Sequence, residues 1–331
     1  MKALVYDGPE MLSYRDVPDP TVAQGEHLIR IDAVGICGSD MHAYLGHDDR
    51  RPAPLILGHE AAGVVMGGPR HGERVTINPL VTCGTCPACT QGRENLCPSR
   101  QIISMPPREG AFAQYVTMPE RNLVRVPDGV DLTHAALVEP LAVGWHAVRL
   151  GLDAVHPSRF GRALVIGGGA IGLASALSLR AFGVSDITIV EPTDARRSFL
   201  DSICGETVVE TATEIYPLVI DAVGYRATRE TAVRHTEPGG VIVHVGLGDA
   251  NDGLDIRRMT LQEITFIGTY TYTAQDFRDC ANALFEGRLG RINWIQIRPL
   301  SEGAQAFSDL RQHRVAEPKI VLCPHSGASA T

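Results

Sequence analysis

At 331 residues, 44% apolar and 21% charged, the chain outgrows a single hydrophobic core and fits about two domains. Its net charge of −8 excludes the basic face that nucleic-acid binding needs, and no apolar run approaches the ~20 residues that span a bilayer. Its start, "MKALVYDGPEMLSYRD", lacks the apolar stretch and cleavage site of a secretory signal, so a cytoplasmic location is expected, where clustered cysteines are metal ligands sooner than disulfides.

Residues 1–145 read as β-rich, with β-branched stretches "HLIRIDAVG", "AAGVVM" and "ERVTINP" interrupted by Gly and Pro. Dispersed through them are Cys37 in "GICGSDMH", His59 and Glu60 in "LGHE", and Glu139 in "VEPLAVGWHA". A thiolate, an imidazole and carboxylates are the mixed ligands of a catalytic zinc, which keeps one coordination position open. Spacing alone leaves this site undecided. Adjacent side chains point to opposite faces of a regular strand, so His59 and Glu60 need a bulge or turn to share one ion.

Between 83 and 97 the chain reads "CGTCPACTQGRENLC", with Cys83, Cys86, Cys89 and Cys97 spaced C-x2-C-x2-C-x7-C. Four thiolates converging from one tight loop close a tetrahedral shell, which makes a structural zinc. An iron–sulfur cluster is the rival reading, although neither a second cysteine set nor a C-P ending of the usual form accompanies the run, Pro98 following Cys97 notwithstanding. A nucleic-acid-binding zinc ribbon conflicts with the acidic charge. The remaining cysteines, Cys204, Cys280 and Cys323, read as small hydrophobes.

From about 160 strands and helices alternate. "RALVI" (162–166), "DITIVE" (186–191), "PLVIDAVG" (217–224), "GVIVHVG" (240–246) and "ITFIGTYT" (264–271) read as strands. Between them "AIGLASALSLRAFG", "TDARRSFLDSI" and "RATRETAVRHT" read as helices, which together predict a doubly wound parallel sheet. The segment from Cys204 to Asp221 is short, so one helix of that sheet is expected to be trimmed. Helices over 274–287 and near 301–313 and the strand "KIVLC" follow, and the tail "PHSGASAT" is expected to be disordered.

"VIGGGAIG" carries Gly167, Gly169 and Gly172 in the pattern G-x-G-x-x-G between a strand and a helix, with Ala170 and Ile171 opening the helix. Glycine lets the backbone turn tightly and approach a pyrophosphate seated on the helix N-terminus. Glu191 ends the next strand, where a carboxylate binds a ribose diol and repels a 2′-phosphate. NAD is therefore expected over NADP, with Arg196 and Arg197 the groups that complicate the choice. Val245, at the end of a later strand, is a further candidate for the cofactor site.

Taken in order, "GICGSDMH", "LGHEAAGVV", the four-cysteine lobe, "GAFAQYV", "VEPLAVGWHA", "VIGGGAIG" and "DAVG" resemble the zinc-dependent medium-chain alcohol dehydrogenases over nearly the whole chain. The glutamate of "VEPLAVG" makes the sorbitol (polyol) dehydrogenase branch the nearest in kind. The resemblance implies an α/β architecture: a GroES-like β-rich catalytic domain (1–145, with its zinc lobe at 83–97, and 270–331) and an inserted Rossmann domain (146–269). It implies two zinc ions per chain, the catalytic one held by Cys37, His59 and Glu60, with Glu139 as a fourth ligand or as partner of the metal's water. Ser39 would accept the alcohol proton and pass it by the nicotinamide ribose toward His42, and Asp40 would orient a ligand. Zinc lowers the pKa of bound water to about 7, and the same Lewis acidity lets an alcohol lose its proton near neutral pH before hydride leaves for the nicotinamide.

The implied reaction is NAD-linked oxidation of a secondary alcohol in a polyol or sugar-derived substrate, by a homodimer or homotetramer. The alternatives are an NADP-linked alcohol or carbonyl reductase, and a non-enzymatic binding protein of the same fold. Three departures from the branch stand out: Ala43 precedes Tyr44 where a tyrosine usually follows the first motif, Thr271 replaces an arginine, and "MGGPRHGERV" is short. The first two touch the expected substrate pocket and put sorbitol itself in question.

Overall fold

A computed structural model describes residues 1–325. The chain divides into two compact units, one formed by Met1–Glu139 with the chain from Trp294 onward, the other by Pro140–Asn293.

The first unit is built on a seven-stranded sheet. Its strands run Leu123–Arg125, Arg74–Ile77, Glu60–Met66, Glu26–Gly35, Lys319–Cys323 and Ile295–Pro299, with Tyr115–Pro119 also paired to Glu26–Gly35. A three-stranded sheet of Met11–Asp16, Lys2–Gly8 and Leu55–Ile56 accompanies it. The core between them includes Ile29, Ile31, Leu57, Ile77, Phe112 and Met118, all fully buried. Phe307, from the helix Gly303–Arg311, packs on Tyr44 at 5.2 Å and edge-on to Phe112 at 5.9 Å. A buried ring of this kind contributes about 1.5–3 kcal/mol, which fixes the returning end of the chain onto its start. One consequence matters for chemistry: Lys319–Cys323 pairs antiparallel with Glu26–Gly35, so Lys319 lies beside Ile36 and Glu60.

The second unit is a six-stranded, all-parallel sheet in the order Thr207–Val209, Asp186–Val190, Arg162–Ile166, Tyr216–Asp221, Thr236–His244, Thr265–Gly268. Its central strands are runs of buried Val, Ile and Leu, as a sheet covered on both faces requires. The strand order reverses between Arg162–Ile166 and Tyr216–Asp221, the place where doubly wound sheets bind ligands. The expected trimming is complete: residues 210–215 join two strands with no helix between them.

The resemblance implies boundaries at 145/146 and 269/270, whereas compactness divides the chain at 139/140 and 293/294. The physical reason for the later division is the helix Ala274–Phe285, whose Asp276 is bonded to His146 and Arg149. The sequence also gave no sign of three elements: the hairpin Lys2–Asp16, the strand Ile295–Pro299, and the 17-residue helix Val138–Ala154. That helix contains Pro140 and Gly144, residue types that ordinarily interrupt helices. Pro140 sits in the first turn, where no N–H partner is lost. A Cβ on Gly144 would come within 2.7 Å of the Ala174 backbone, so glycine there permits two helices to touch. The tail predicted to be disordered lies outside the described residues beyond Pro324 and His325, which form a turn. Among the described residues no helix is long and apolar enough to cross a membrane.

Candidate active site

Cys37 caps the short helix Gly38–Tyr44. Asp40, fully buried in the first turn, accepts from the Cys37 N–H at 3.0 Å and from the Gly58 N–H at 3.2 Å. The turn that the His59–Glu60 pair needs is made at Gly58, whose φ of +89° is the left-handed region and whose missing side chain leaves room for the Phe112 ring. His59 thus precedes the strand Glu60–Met66 rather than alternating within it. Donor atoms of Cys37, His59 and Glu60 lie within 4.8 Å of one another.

The charges around this triad are buried and balanced. Lys319 Nζ donates to Glu60 Oε1 at 2.6 Å and to the Ile36 carbonyl at 2.9 Å, and both ionised side chains are almost inaccessible. Glu60 Oε2 is buried without a hydrogen-bond partner and occupies the space a Cβ on Gly35 would fill. Burial alone would lower the Lys319 pKa, but Glu60, Cys37 and Glu139 outweigh it and hold the ammonium charged. Burial would likewise lower the His59 pKa; Asp40 and Cys37 outweigh it and push it well above the usual imidazole range. For Asp40 burial is opposed by His59 and Arg51, and its carboxyl is held below the ordinary carboxylate range. A pocket that gathers a thiolate and carboxylates around one imidazole, and leaves one carboxylate oxygen orphaned, has the donor set that zinc takes. Glu139, 6% exposed, is close enough for its charge to act on Lys319 but is not one of the mutually convergent donors.

Ser39 is half-buried beside Arg51, and His42 is exposed in the last turn of the same helix. His59 Nδ1 faces Asp40 at 3.5 Å and the Ser104 hydroxyl at 3.3 Å, which leaves Nε2 for a metal.

The four-cysteine lobe forms its own group, all four sulfurs lying within 4.8 Å. The separations Cys83–Cys89, Cys86–Cys89 and Cys97–Cys83 are 3.8, 3.5 and 3.5 Å. Ligands at 2.3 Å in a tetrahedron stand about 3.8 Å apart, so the loop is already shaped for zinc. Backbone N–H groups of Thr85 and Cys86 lower the Cys83 thiol to about 6, while burial and neighbouring thiols raise Cys89 to about 11.

In the second unit Gly167 adopts φ +101° after the strand Arg162–Ile166, and Gly169 caps the helix Ala170–Ala181. A Cβ on Gly172 would lie 1.7 Å from the Gly167 carbonyl oxygen, so only glycine lets the helix start so near the strand. Ala170 and Ile171 form the first turn, half-buried. Glu191, 4% exposed, accepts from the Gly168 N–H at 3.0 Å and the Thr193 N–H at 2.8 Å. Arg196 lies 3.8 Å from that carboxylate and its Nε is buried without a partner among the described residues. Arg197 donates to the Glu191 and Pro192 carbonyls and pairs with Asp194. Val245 donates its N–H to the Asp221 carbonyl at the sheet's carboxyl end.

Several site residues were not read from the sequence. Asp221, fully buried, accepts from the N–H groups of Val223 and Gly224 and from the Thr228 hydroxyl. An acid closing an apolar strand was the available signal. Lys319 opens the apolar "KIVLC", an equally visible anomaly. Arg51 in "DDRRPAP" reads as a solvated charge run, and Ser104 carries no signal at all.

Residues 23–128 match the family described as Alcohol dehydrogenase GroES-like domain, and residues 170–286 the family described as Zinc-binding dehydrogenase. L-galactonate-5-dehydrogenase of Escherichia coli (strain K12) is 30% identical over 308 residues, covering 87% of this chain and 88% of its own. Sorbitol dehydrogenase of Bacillus subtilis (strain 168) is 31% identical over 295 residues, covering 82% of each chain. Among solved structures, an alcohol dehydrogenase from E. coli CFT073 complexed with NADH superposes with a TM-score of 0.88 at 26% identity, over 98% of this chain and 99% of that one. A putative zinc-binding dehydrogenase from Sinorhizobium meliloti 1021 bound to NADP gives 0.87 at 25% identity, over 98% and 99%.

Proposed function

The chain belongs to the polyol-dehydrogenase branch of the zinc-dependent medium-chain dehydrogenases, and from that premise we propose that it oxidises a secondary alcohol of a polyol or sugar-derived substrate, sugar acids included, to a ketone with NAD. The observation that carries this reading is the buried triad of unlike donors, Cys37, His59 and Glu60, with one oxygen of Glu60 unpartnered. Cys37, His59 and Glu60 would hold a zinc that supplies Lewis acidity to the alcohol oxygen near neutral pH, with NAD as the hydride acceptor.

The chain's own residues do the rest. Asp40 holds the Cys37 N–H and faces His59 Nδ1, which orients both ligands. Lys319 offsets the charge of Glu60, and Glu139 would partner the metal's water rather than serve as a fourth ligand, since it lies outside the convergent set. Ser39 accepts the substrate's proton while its own passes on toward His42, whose exposure lets the proton reach solvent. Cys83, Cys86, Cys89 and Cys97 hold a second zinc whose closed shell serves the fold.

Glu191, engaged with the glycine loop, supports NAD, because its carboxylate repels a 2′-phosphate. Arg197 is committed to backbone carbonyls, but the unpartnered Nε of Arg196 supports a second reading in which NADP is also accepted. The four cysteines gathered as a metal-binding group favour a cytoplasmic location, where thiols stay reduced. A homo-oligomer is supported by the strand Thr265–Gly268, which ends the six-stranded sheet, and by Leu261 beside it, 66% exposed. The test is reduced-cofactor formation from a panel of polyols, sugar alcohols and aldonates, with NAD and with NADP. Turnover of a sugar-derived alcohol with NAD preferred is expected. No turnover in either direction with either cofactor would leave a binding protein of this fold.

A further inference from the structure

Arg51 is one of few basic side chains buried in the first unit, 3% exposed, and its guanidinium is divided among three neighbours. Nη1 donates to Asp48 Oδ2 at 2.6 Å and to the Ser39 carbonyl at 3.3 Å; Nη2 donates to the Ser39 hydroxyl oxygen at 3.4 Å; Nε donates to the Ser104 carbonyl at 3.0 Å. Asp48 is also held by Arg50 Nε at 2.8 Å, so it does not need Arg51 alone. Ser104 is fully buried with φ +72°, a conformation costly for a residue with a side chain, and its hydroxyl lies 3.3 Å from His59 Nδ1. One planar fork therefore reaches both the relay serine and the loop that faces a metal-ligand ring.

We propose that Arg51 is a positioning residue for the alcohol oxidation, fixing at once the direction of the Ser39 hydroxyl and the Ser104 loop that orients His59. The inference rests on the reading of Ser39 as proton relay. A serine oxygen has two acceptor lone pairs and one hydrogen. With Arg51 donating to one lone pair, a single acceptor direction remains for the substrate's O–H, and the serine's own hydrogen is left to move onward. Without Arg51 the hydroxyl rotates among its wells and the relay loses its sense. At Ser104 the guanidinium holds the carbonyl of a strained residue whose hydroxyl restrains the imidazole, and such supports of metal ligands typically account for about 10- to 100-fold in metal affinity or activity.

The test uses the zinc-loaded enzyme in four variants: Arg51→Lys, Ser39→Ala, Ser104→Ala and Arg51→Lys combined with Ser39→Ala. Lysine keeps the charge beside Asp48 but lacks the planar fork; Arg51→Gln replaces it should the lysine variant not fold. Zinc remaining after timed exposure to a chelator, kcat and KM for NAD are measured for each. The expected result is that Arg51→Lys loses kcat about 10-fold or more with KM for NAD unmoved, releases its catalytic zinc about 10-fold faster, and adds to Ser39→Ala only the part of its kcat loss that passes through Ser104 and His59. Ser104→Ala should share the faster zinc release. Wild-type kcat and zinc retention in Arg51→Lys, or a full additional loss on the Ser39→Ala background, overturns the proposal while the relay reading stands. Wild-type kcat in Ser39→Ala removes the relay reading and this proposal together.

Discussion

Cys37 and Lys319 bracket the metal triad from the two ends of the chain, and each makes a separate claim about it. Cys37→Ala removes the softest donor from a set of three, so turnover is expected to vanish and one of two zinc ions to be lost. Because the side chain is only half-buried, unfolding free energy should change by no more than about 1 kcal/mol. Metal analysis beside denaturant titration checks both. Lys319→Met leaves the Glu60 carboxylate buried without its cation, which costs about 3–5 kcal/mol in the metal-free protein. Adding Glu60→Gln should recover most of that loss, whereas an uncharged Glu60 in the native protein would make Lys319→Met nearly silent. Cys37, His59 and Glu60 were legible through the family resemblance that "GICGSDMH" and "LGHE" carry, since their spacing alone left the site undecided. Lys319 showed in the sequence only as a charge opening an apolar strand; its partner is 259 positions away, and the antiparallel return of the last strand reveals the pair.

The helix Ala274–Phe285 is held to the helix Val138–Ala154 by one buried carboxylate. Asp276 accepts from His146 Nδ1 at 2.7 Å, Arg149 Nε at 2.6 Å and the Thr273 hydroxyl at 2.7 Å. Burial opposes its ionisation, but these three partners hold its carboxyl far below the ordinary range. A depressed folded pKa stabilises the protein above the unfolded value of about 4 and is lost as pH falls below it. Asp276→Ala should thus cost about 3–5 kcal/mol at neutral pH, with the gap to wild type narrowing in denaturant titrations run progressively below about pH 4. The four-cysteine lobe tests another element. Cys97, fully buried, opens the shell when changed to Ser, and the variant should keep one zinc per chain and melt several degrees lower. Elements whose chemistry dictates their sequence were legible, the glycine loop and the lobe above all. The helix Val138–Ala154 was not, because its Pro and Gly serve a helix start and a close helix contact that no local pattern announces.

For the whole molecule, the alternation of apolar strands with helices from Arg162 onward carried enough information to assign the parallel sheet and even its missing helix. The β-rich unit was legible as a class but not as a topology, since its sheet is closed by pairings between residues 26–35 and 319–323 that no local pattern specifies. The donor triad belongs to that unit and the glycine loop to the other. The central claim is that this chain is a zinc dehydrogenase working through Cys37, His59 and Glu60. The measurement that bears on it most directly is the rate of NADH formation from a sugar-derived alcohol before chelation, after it, and after zinc is restored. The account predicts loss of the rate with the catalytic ion and recovery on adding zinc. An undiminished rate in protein shown to have lost both ions would contradict it.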